Sequence, residues 1–190
     1  MVNPYVRKLS TARSIVIIVL LVTNLVVHAQ RTPSREYQLK AIFLFNFTQF
    51  VDWPPGSFAT EQSPLVIGIL GENPFGSYLE ETVSGEKVNE HSVIVQYYKN
   101  ADEIKTCHIL FINLAETKKG EQVVEALRGR NILTVSDAID FLKGGGMVRF
   151  FTKSDKIKLQ VNLEASKAAN LVLSSKLLRL ADLFDPSKNN

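Results

Sequence analysis

Largely apolar runs alternate with amphipathic and polar segments through most of the chain. The runs that predict β-strands are residues 65–70, 92–97, 107–112 and 132–135. Helices are predicted between them, from 74 to about 83, from 100, over 117–128, and from 136 to the glycines at 144–146. Apolar strands that alternate with helices are typical of a parallel sheet covered on both faces. The pattern predicts a three-layer α/β fold with a mostly parallel, doubly wound sheet and helices on both faces.

The last third of the chain has a different pattern. Residues 147–151 and 156–161 flank the polar stretch 152–155, which predicts a hairpin and therefore an antiparallel edge to the sheet. A helix over 163–169 is expected to end at Asn170, because asparagine tolerates the left-handed conformation. Ser174 is expected to cap a final helix that ends at Leu180.

The first helix is predicted over residues 34–51, with Ser34 as its N-cap and residues 52–56 as its stop. Its apolar residues lie on almost every side, so this helix is expected to be buried on more than one face or covered by a partner. Five residues at its C-terminal end are candidate partner contacts, because aromatic residues are common anchors of interfaces: Phe43, Phe47, Phe50, Trp53 and Pro54. The alternative is that the phenylalanines fill the core.

Residues 1–29 have the pattern of a cleaved secretory signal peptide. Basic residues precede an apolar stretch over 15–27, which is short for a membrane span. Cleavage is predicted between Ala29 and Gln30, which leaves residues 30–190 as one exported domain. No cysteine stands at that point, so no lipid anchor is expected.

The net charge of +3 comes from the predicted leader. Arg7, Lys8 and Arg13 are the charged residues before Arg31, and without them 19 basic residues balance 19 acidic ones. A neutral domain gives no indication of nucleic-acid binding.

No catalytic or metal-binding pattern stands out. Cys107 and His108 are neighbours in a predicted strand, so their side chains are expected to point to opposite faces and not to share a proton. One cysteine and two scattered histidines after the leader do not form a metal-ligand pattern, and the glycines match no phosphate-binding motif. The sequence therefore predicts a protein that is not an enzyme and needs no cofactor or metal.

A small-ligand pocket is the alternative to a partner-binding role, in a module that presents a ligand to a membrane receptor. Ligands of open parallel sheets bind beyond the carboxyl ends of the strands. The polar residues expected at these ends or within apolar surroundings are Lys40, Asn46, Asn73, Asn113, Ser136, Arg149 and Asn162. The same residue types also serve as ordinary helix caps and turn residues.

Seven segments taken in order resemble the YfiR family. They are residues 37–54, 65–71 with 73–76, 107–112, 133–137, 141–147, 161–163 and 173–181. The resemblance implies a periplasmic, non-enzymatic regulator that binds the periplasmic sensor domain of an inner-membrane signalling protein and holds it inactive. That partner would be a diguanylate cyclase, whose release raises cyclic di-GMP and favours biofilm, or a histidine kinase. The apolar helices also permit a homodimer, whereas Cys107 alone permits no intramolecular disulfide.

Overall fold

A computed structural model describes residues 34–185 as one array of strands and helices. The predicted signal peptide and its cleavage point between Ala29 and Gln30 lie outside these residues. The helices are α1 (Arg35–Phe50), α2 (Tyr78–Val83), α3 (Thr117–Ala126), α4 (Leu163–Ala168) and α5 (Ser175–Leu180). The strands are β1 (Val51–Asp52), β2 (Leu65–Gly71), β3 (Lys87–Val88), β4 (His91–Tyr98), β5 (Ile109–Asn113), β6 (Leu133–Ser136), β7 (Val148–Lys153), β8 (Lys156–Val161), β9 (Val172–Leu173) and β10 (Ala181–Leu183).

Eight of these strands form one sheet in the order β10-β8-β7-β6-β5-β2-β4-β3. Strands β4, β2, β5, β6 and β7 are parallel. Strand β8 runs antiparallel to β7, and the short β3 runs antiparallel to β4. Strands β1 and β9 form a separate antiparallel pair. The predicted mostly parallel α/β sheet with an antiparallel hairpin is confirmed.

Alternate side chains of the central strands enter two hydrophobic clusters, one on each face of the sheet. The first cluster packs under α1, α2 and α5, and the second packs under α3. In β5, for example, Ile109 and Phe111 belong to the first cluster, whereas Leu110 and Ile112 belong to the second. The helices therefore cover both faces, as the three-layer prediction requires.

Two predicted helices are corrected by the structure. The helix expected from Pro74 begins only at Tyr78, because the Asn73 side chain accepts a hydrogen bond from the Phe75 N–H and donates one to the Gly76 carbonyl. These two bonds hold a turn where the first helical turn was expected. Residues 139–145 form turns, and no residue from 137 to 146 is helical.

The C-terminal segment contains one strand that the sequence did not reveal. Helix α5 ends at Leu180 as predicted, and β10 then pairs in parallel with the last part of β8, outside the hairpin. The strand has three residues with no clear alternation of apolar and polar positions. Its pairing with β8 is possible because α5 ends beside that strand.

Candidate functional site

Helix α1 has a buried side and an exposed apolar side. Ser34 caps it as predicted, with its Oγ accepting a hydrogen bond from the Tyr37 N–H at 3.4 Å. Its buried residues are Lys40, Ala41, Leu44, Phe47 and Thr48. Another side, which we call the outer face of α1, consists of residues spaced as neighbours along the helix: Leu39, Ile42, Phe43, Asn46 and Phe50.

Large apolar side chains on the outer face of α1 remain accessible to solvent. Leu39 is 43% exposed and Ile42 is 38% exposed, while Phe43, Asn46 and Phe50 are half-buried. Phe43 and Phe50 were among the predicted partner contacts, whereas the two aliphatic residues were not. Their spacing of three to four residues from Phe43 was the available signal, but it was hidden because α1 is apolar on other sides as well.

Phe47 has to be removed from the predicted partner surface. Its side chain is completely buried, and its ring stacks on Phe150 of β7 at a centroid distance of 6.0 Å. Phe43 also contacts Phe150, at 5.9 Å between ring centroids, but keeps part of its surface accessible. Phe47 lies on the side of α1 that faces the sheet, so the core takes this ring.

Trp53 and Pro54 lie in the loop that follows α1. Trp53 contacts His108, which directly precedes β5, so it lies at the amino ends of the parallel strands. The Trp53 ring meets the His108 ring edge-on at 5.8 Å, and the Pro54 carbonyl accepts a hydrogen bond from the Ser57 N–H. Both residues are half-buried. Within residues 34–185 the buried Trp53 Nε1 has no hydrogen-bond partner. Trp53 thus packs the loop against the sheet, and a role in partner contact stays a prediction.

The same loop contributes Phe58 to a stack with two imidazole rings. The Phe58 ring lies 3.8 Å from the His91 ring and 4.3 Å from the His108 ring, with both pairs nearly parallel. His91 holds the loop further through a hydrogen bond between its Nδ1 and the Ser63 carbonyl. No motif in the sequence indicated this cluster, because it joins residues that are distant in the chain.

His108 is held in its neutral form. Its Nδ1 accepts a hydrogen bond from the Val66 N–H at 3.0 Å, so this nitrogen carries no proton. Its Nε2 lies 3.2 Å from the Ser57 carbonyl, to which it donates. Burial lowers the pKa of His108, the Ser57 bond opposes this effect, and the nearby His91 adds to it.

Because His108 is neutral in the folded protein, we expect the protein to lose stability in mild acid. Below a pH of about 6.5 the unfolded chain binds a proton that the folded His108 resists, so the free energy of unfolding falls as the pH decreases toward the lowered pKa of the folded state. We expect the His108→Asn variant, whose Oδ1 retains an acceptor for the Val66 N–H, to be less stable than the unaltered protein near neutral pH. Its free energy of unfolding is expected to fall less steeply as the pH decreases. Urea midpoints measured between neutral and mildly acidic pH check this, and parallel declines in both proteins would contradict it.

Lys40, a predicted pocket residue, forms ion pairs with two carboxylates inside the protein. Its Nζ lies 2.7 Å from Asp137 Oδ2 and 2.6 Å from Glu36 Oε1, and its side chain is 3% exposed. The Tyr37 hydroxyl donates a hydrogen bond of 2.9 Å to the same Asp137 oxygen. Burial and the Asp137 carboxylate raise the pKa of Tyr37. The group connects α1 to the end of β6, and its lysine is not free to bind a ligand.

The predicted pocket residues at the strand ends bond mainly to the backbone. Asn113 donates to the Glu72 carbonyl, and the Glu72 N–H donates to the Asn113 carbonyl, so the loops after β2 and β5 close on each other. Ser136 donates to the Ile112 carbonyl and accepts from the Ala138 N–H. Asn162 caps α4 and donates to the Leu142 carbonyl. These contacts correspond to the capping alternative.

The seven predicted pocket residues are not gathered around one cavity. Ser136 is the one that lines a cavity of about 20 Å³ between α3 and the loop after β6, which holds about one water molecule. Asn46 lies on the outer face of α1, and Asn73 forms the turn before α2. Arg149 aligns with Ser136 across β6 and β7, but its Nε has no hydrogen-bond partner among residues 34–185. A small-ligand site at these residues therefore stays a prediction.

Cys107 is a structural thiol. It packs in the second hydrophobic cluster, whereas His108 packs against Phe58 and Trp53. Burial raises the pKa of Cys107 to about 12, so the reactive thiolate does not form near neutral pH. Within residues 34–185, no three His, Cys, Asp or Glu side chains are placed to hold a metal ion.

The described chain is a three-layer α/β fold in which one side of the first helix exposes the apolar residues Leu39 and Ile42. Residues 37–182 match the model of the YfiR/HmsC-like family, and the chain belongs to this family. The family suggests a periplasmic regulator of cyclic di-GMP signalling, and it is a regulatory, non-catalytic family. Comparison with curated proteins gave no match. No helix within residues 34–185 is long and apolar enough to cross a membrane.

Proposed function

We propose that this protein is exported to the periplasm, where it binds the periplasmic sensor domain of an inner-membrane diguanylate cyclase or histidine kinase and holds it inactive. The observation that carries the proposal is the outer face of α1. Family membership supplies the class of partner, and the outer face supplies the surface.

The composition of the outer face suits a regulated contact. Leu39 and Ile42 offer accessible aliphatic area, and Phe43 and Phe50 offer aromatic rings at its border. Large apolar side chains that cluster on one exposed face are a common mark of protein interfaces. Asn46 places a polar group within the apolar stripe, which favours a partner that supplies its hydrogen bond and disfavours others.

The regulation proposed is a shift between two states of the sensor. A protein that binds the inactive state more tightly than the active state increases the inactive population. Any signal that weakens this binding then shifts the sensor back toward its active state and raises its output. The α1 helix is fastened to the sheet by Lys40, so it would offer the sensor a rigid surface.

We expect Leu39→Glu with Ile42→Glu to weaken sensor capture by at least about tenfold, because two carboxylates would have to be buried in an apolar contact. The measurement is affinity capture from solubilised membranes, with the full chain carrying a C-terminal tag in its own host. The unaltered chain is expected to capture one membrane protein with a periplasmic domain, and loss of the variant's capture is expected to release that sensor's output.

Ile139→Glu is the matched control. Ile139 is 80% exposed and lies in the loop after β6, outside the outer face of α1, so a carboxylate at this position is expected to leave capture intact. The proposal is overturned if the folded, unaltered chain captures no membrane sensor. The assignment to α1 is overturned if the α1 variant and the Ile139 variant capture equally well.

A further inference from the structure

The β7–β8 hairpin extends beyond its neighbours in the sheet. In the described strands, β7 pairs with β6 through Val148 and Arg149, and β10 pairs with β8 through residues 159–161. The outer part of the hairpin pairs only within itself and closes through Ser154 and Asp155, which both have positive φ. We call residues 149–160 the hairpin arm.

The strand register places the basic residues of the hairpin arm on a single face. Directly paired residues of antiparallel strands point to the same side. The three pairs on this side are Arg149 with Gln160, Phe151 with Lys158, and Lys153 with Lys156. Four cationic side chains therefore surround one aromatic ring. Within residues 149–160 the one carboxylate is Asp155 at the turn, and Asp182 of β10 lies opposite Gln160 beside the base.

These four cations are unneutralised in the part of the chain that the structure describes. None of them forms an ion pair within residues 34–185. The Arg149 guanidinium lies 5.6 Å from the centre of the Phe151 ring, and its Nε is buried without a hydrogen-bond acceptor. A buried N–H without an acceptor is costly, and a guanidinium is well matched to the oxygens of a phosphate.

Protection of an exposed sheet edge does not explain this arrangement. Lysines often protect free strand edges from pairing with other chains, but that purpose does not require them to lie on one face of the strands. Here all four cations lie on one face of the hairpin arm, and the N–H of Arg149 Nε at its base has no hydrogen-bond acceptor among the described residues. Sorted positive charge around an aromatic ring is instead typical of a surface that meets anionic headgroups.

We propose that the basic face of the hairpin arm docks the protein on anionic phospholipid headgroups at the membrane surface. This inference rests on the proposed periplasmic function and deepens it. Phe150, which lies between Arg149 and Phe151, contacts Phe43 and Phe47 of α1, so the arm's basic residues point to the other side of the sheet from α1. Docking through the arm leaves the outer face of α1 directed away from the lipid, toward the sensor's periplasmic domain.

The test is co-sedimentation of the purified full chain with lipid vesicles. Vesicles of phosphatidylglycerol and phosphatidylcholine in equal parts are compared with vesicles of phosphatidylcholine alone. Binding is expected with the anionic vesicles at about 0.05 M salt and is expected to be lost at about 0.5 M salt, where the charges are screened. Addition of inorganic phosphate at constant ionic strength is expected to leave vesicle binding unchanged, which distinguishes a lipid surface from a free phosphate site.

The variant that tests the arm is Lys153→Glu with Lys156→Glu and Lys158→Glu, all exposed positions. Its affinity for the anionic vesicles is expected to fall at least about tenfold. The control carries the same change of net charge at exposed sites elsewhere, Lys99→Glu with Lys105→Glu and Lys118→Glu, and is expected to fall less than about twofold. Unchanged circular dichroism spectra would show that both variants are folded.

Three results would overturn the lipid proposal: no binding to the anionic vesicles at low salt, equal losses in the two triple variants, or displacement by inorganic phosphate. If the arm variant binds vesicles normally but loses sensor capture, an acidic protein surface is the partner of the arm. The vesicles contain no sensor, so this test is independent of the proposed function. The Leu39→Glu, Ile42→Glu variant is expected to bind them like the unaltered chain.

Discussion

Gly71→Ala is expected to destabilise the protein by roughly 3–5 kcal/mol, a large effect for the addition of a single methyl group. Gly71 ends β2 with a φ of +95°, and a Cβ on it would lie 2.1 Å from the Asn113 carbonyl oxygen. The substitution therefore combines an unfavourable backbone conformation with a collision against backbone. Because Asn113 and Glu72 bond to each other at this point, the collision would also separate the loops after β2 and β5.

The Gly56→Ala variant measures the cost of the backbone conformation without the cost of a collision. Gly56 has a similar φ of +87°, but a Cβ there meets no atom within 4 Å. Its loss of stability is expected to be about 1 kcal/mol, from backbone conformation alone. Urea denaturation of both variants measures the difference. Losses within about 1 kcal/mol of each other would show that the contact between the two loops yields easily.

Asp137→Asn is expected to cost about 3 kcal/mol of stability, because it leaves the buried Lys40 ammonium with only the half-exposed Glu36 as counter-charge. The amide oxygen introduced by this substitution would still accept the hydrogen bond of the Tyr37 hydroxyl, so the loss reports mainly on charge. The change is also expected to loosen the hold of α1 on the sheet. Sensor capture through the outer face of α1 is therefore expected to weaken in the same variant, by less than for the charged substitutions on that face.

Two comparisons make this prediction specific. Asp140→Asn makes the same chemical change nearby, where an exposed carboxylate lies 3.7 Å from Lys143, and is expected to cost less than about 0.5 kcal/mol. Lys40→Met combined with Asp137→Asn removes the buried lysine charge together with the charge of Asp137, and is expected to be more stable than Asp137→Asn alone. Equal stability of the Asp137 and Asp140 variants in thermal or urea denaturation would contradict the role assigned to Lys40.

The sequence predicted the elements whose signals are local. The central strands were identified from apolar runs, and the hairpin from the polar turn at residues 152–155. Asn170 has a φ of +56° and ends the segment that contains α4, as its residue type indicated. The helix expected at Pro74 was wrong because the Asn73 side chain stabilises a turn, and turn and cap signals are similar in a single sequence.

The candidate sites were predicted less well, because their residues are distant in the chain. Lys40 was predicted as a pocket residue, but the structure pairs it with Asp137, which lies 97 residues further along the chain. His91 and His108 gave no motif, and Phe58 brings them into one stack. The basic face of the hairpin arm depends on the pairing register of β7 and β8, since a shift of one residue would move half of its cations to the other face.

By itself, the sequence determined the α/β class, the cap and stop of the first helix, and the family, because apolar runs, turn residues and ordered motifs act over short distances. Only the tertiary structure decided which side of α1 is exposed. Since that helix is apolar on nearly every side, its periodicity does not select one, and the choice is made by what packs against it. Phe150 contacts Phe43 and Phe47, and Asp137 fixes Lys40, so Leu39 and Ile42 are left accessible at the surface.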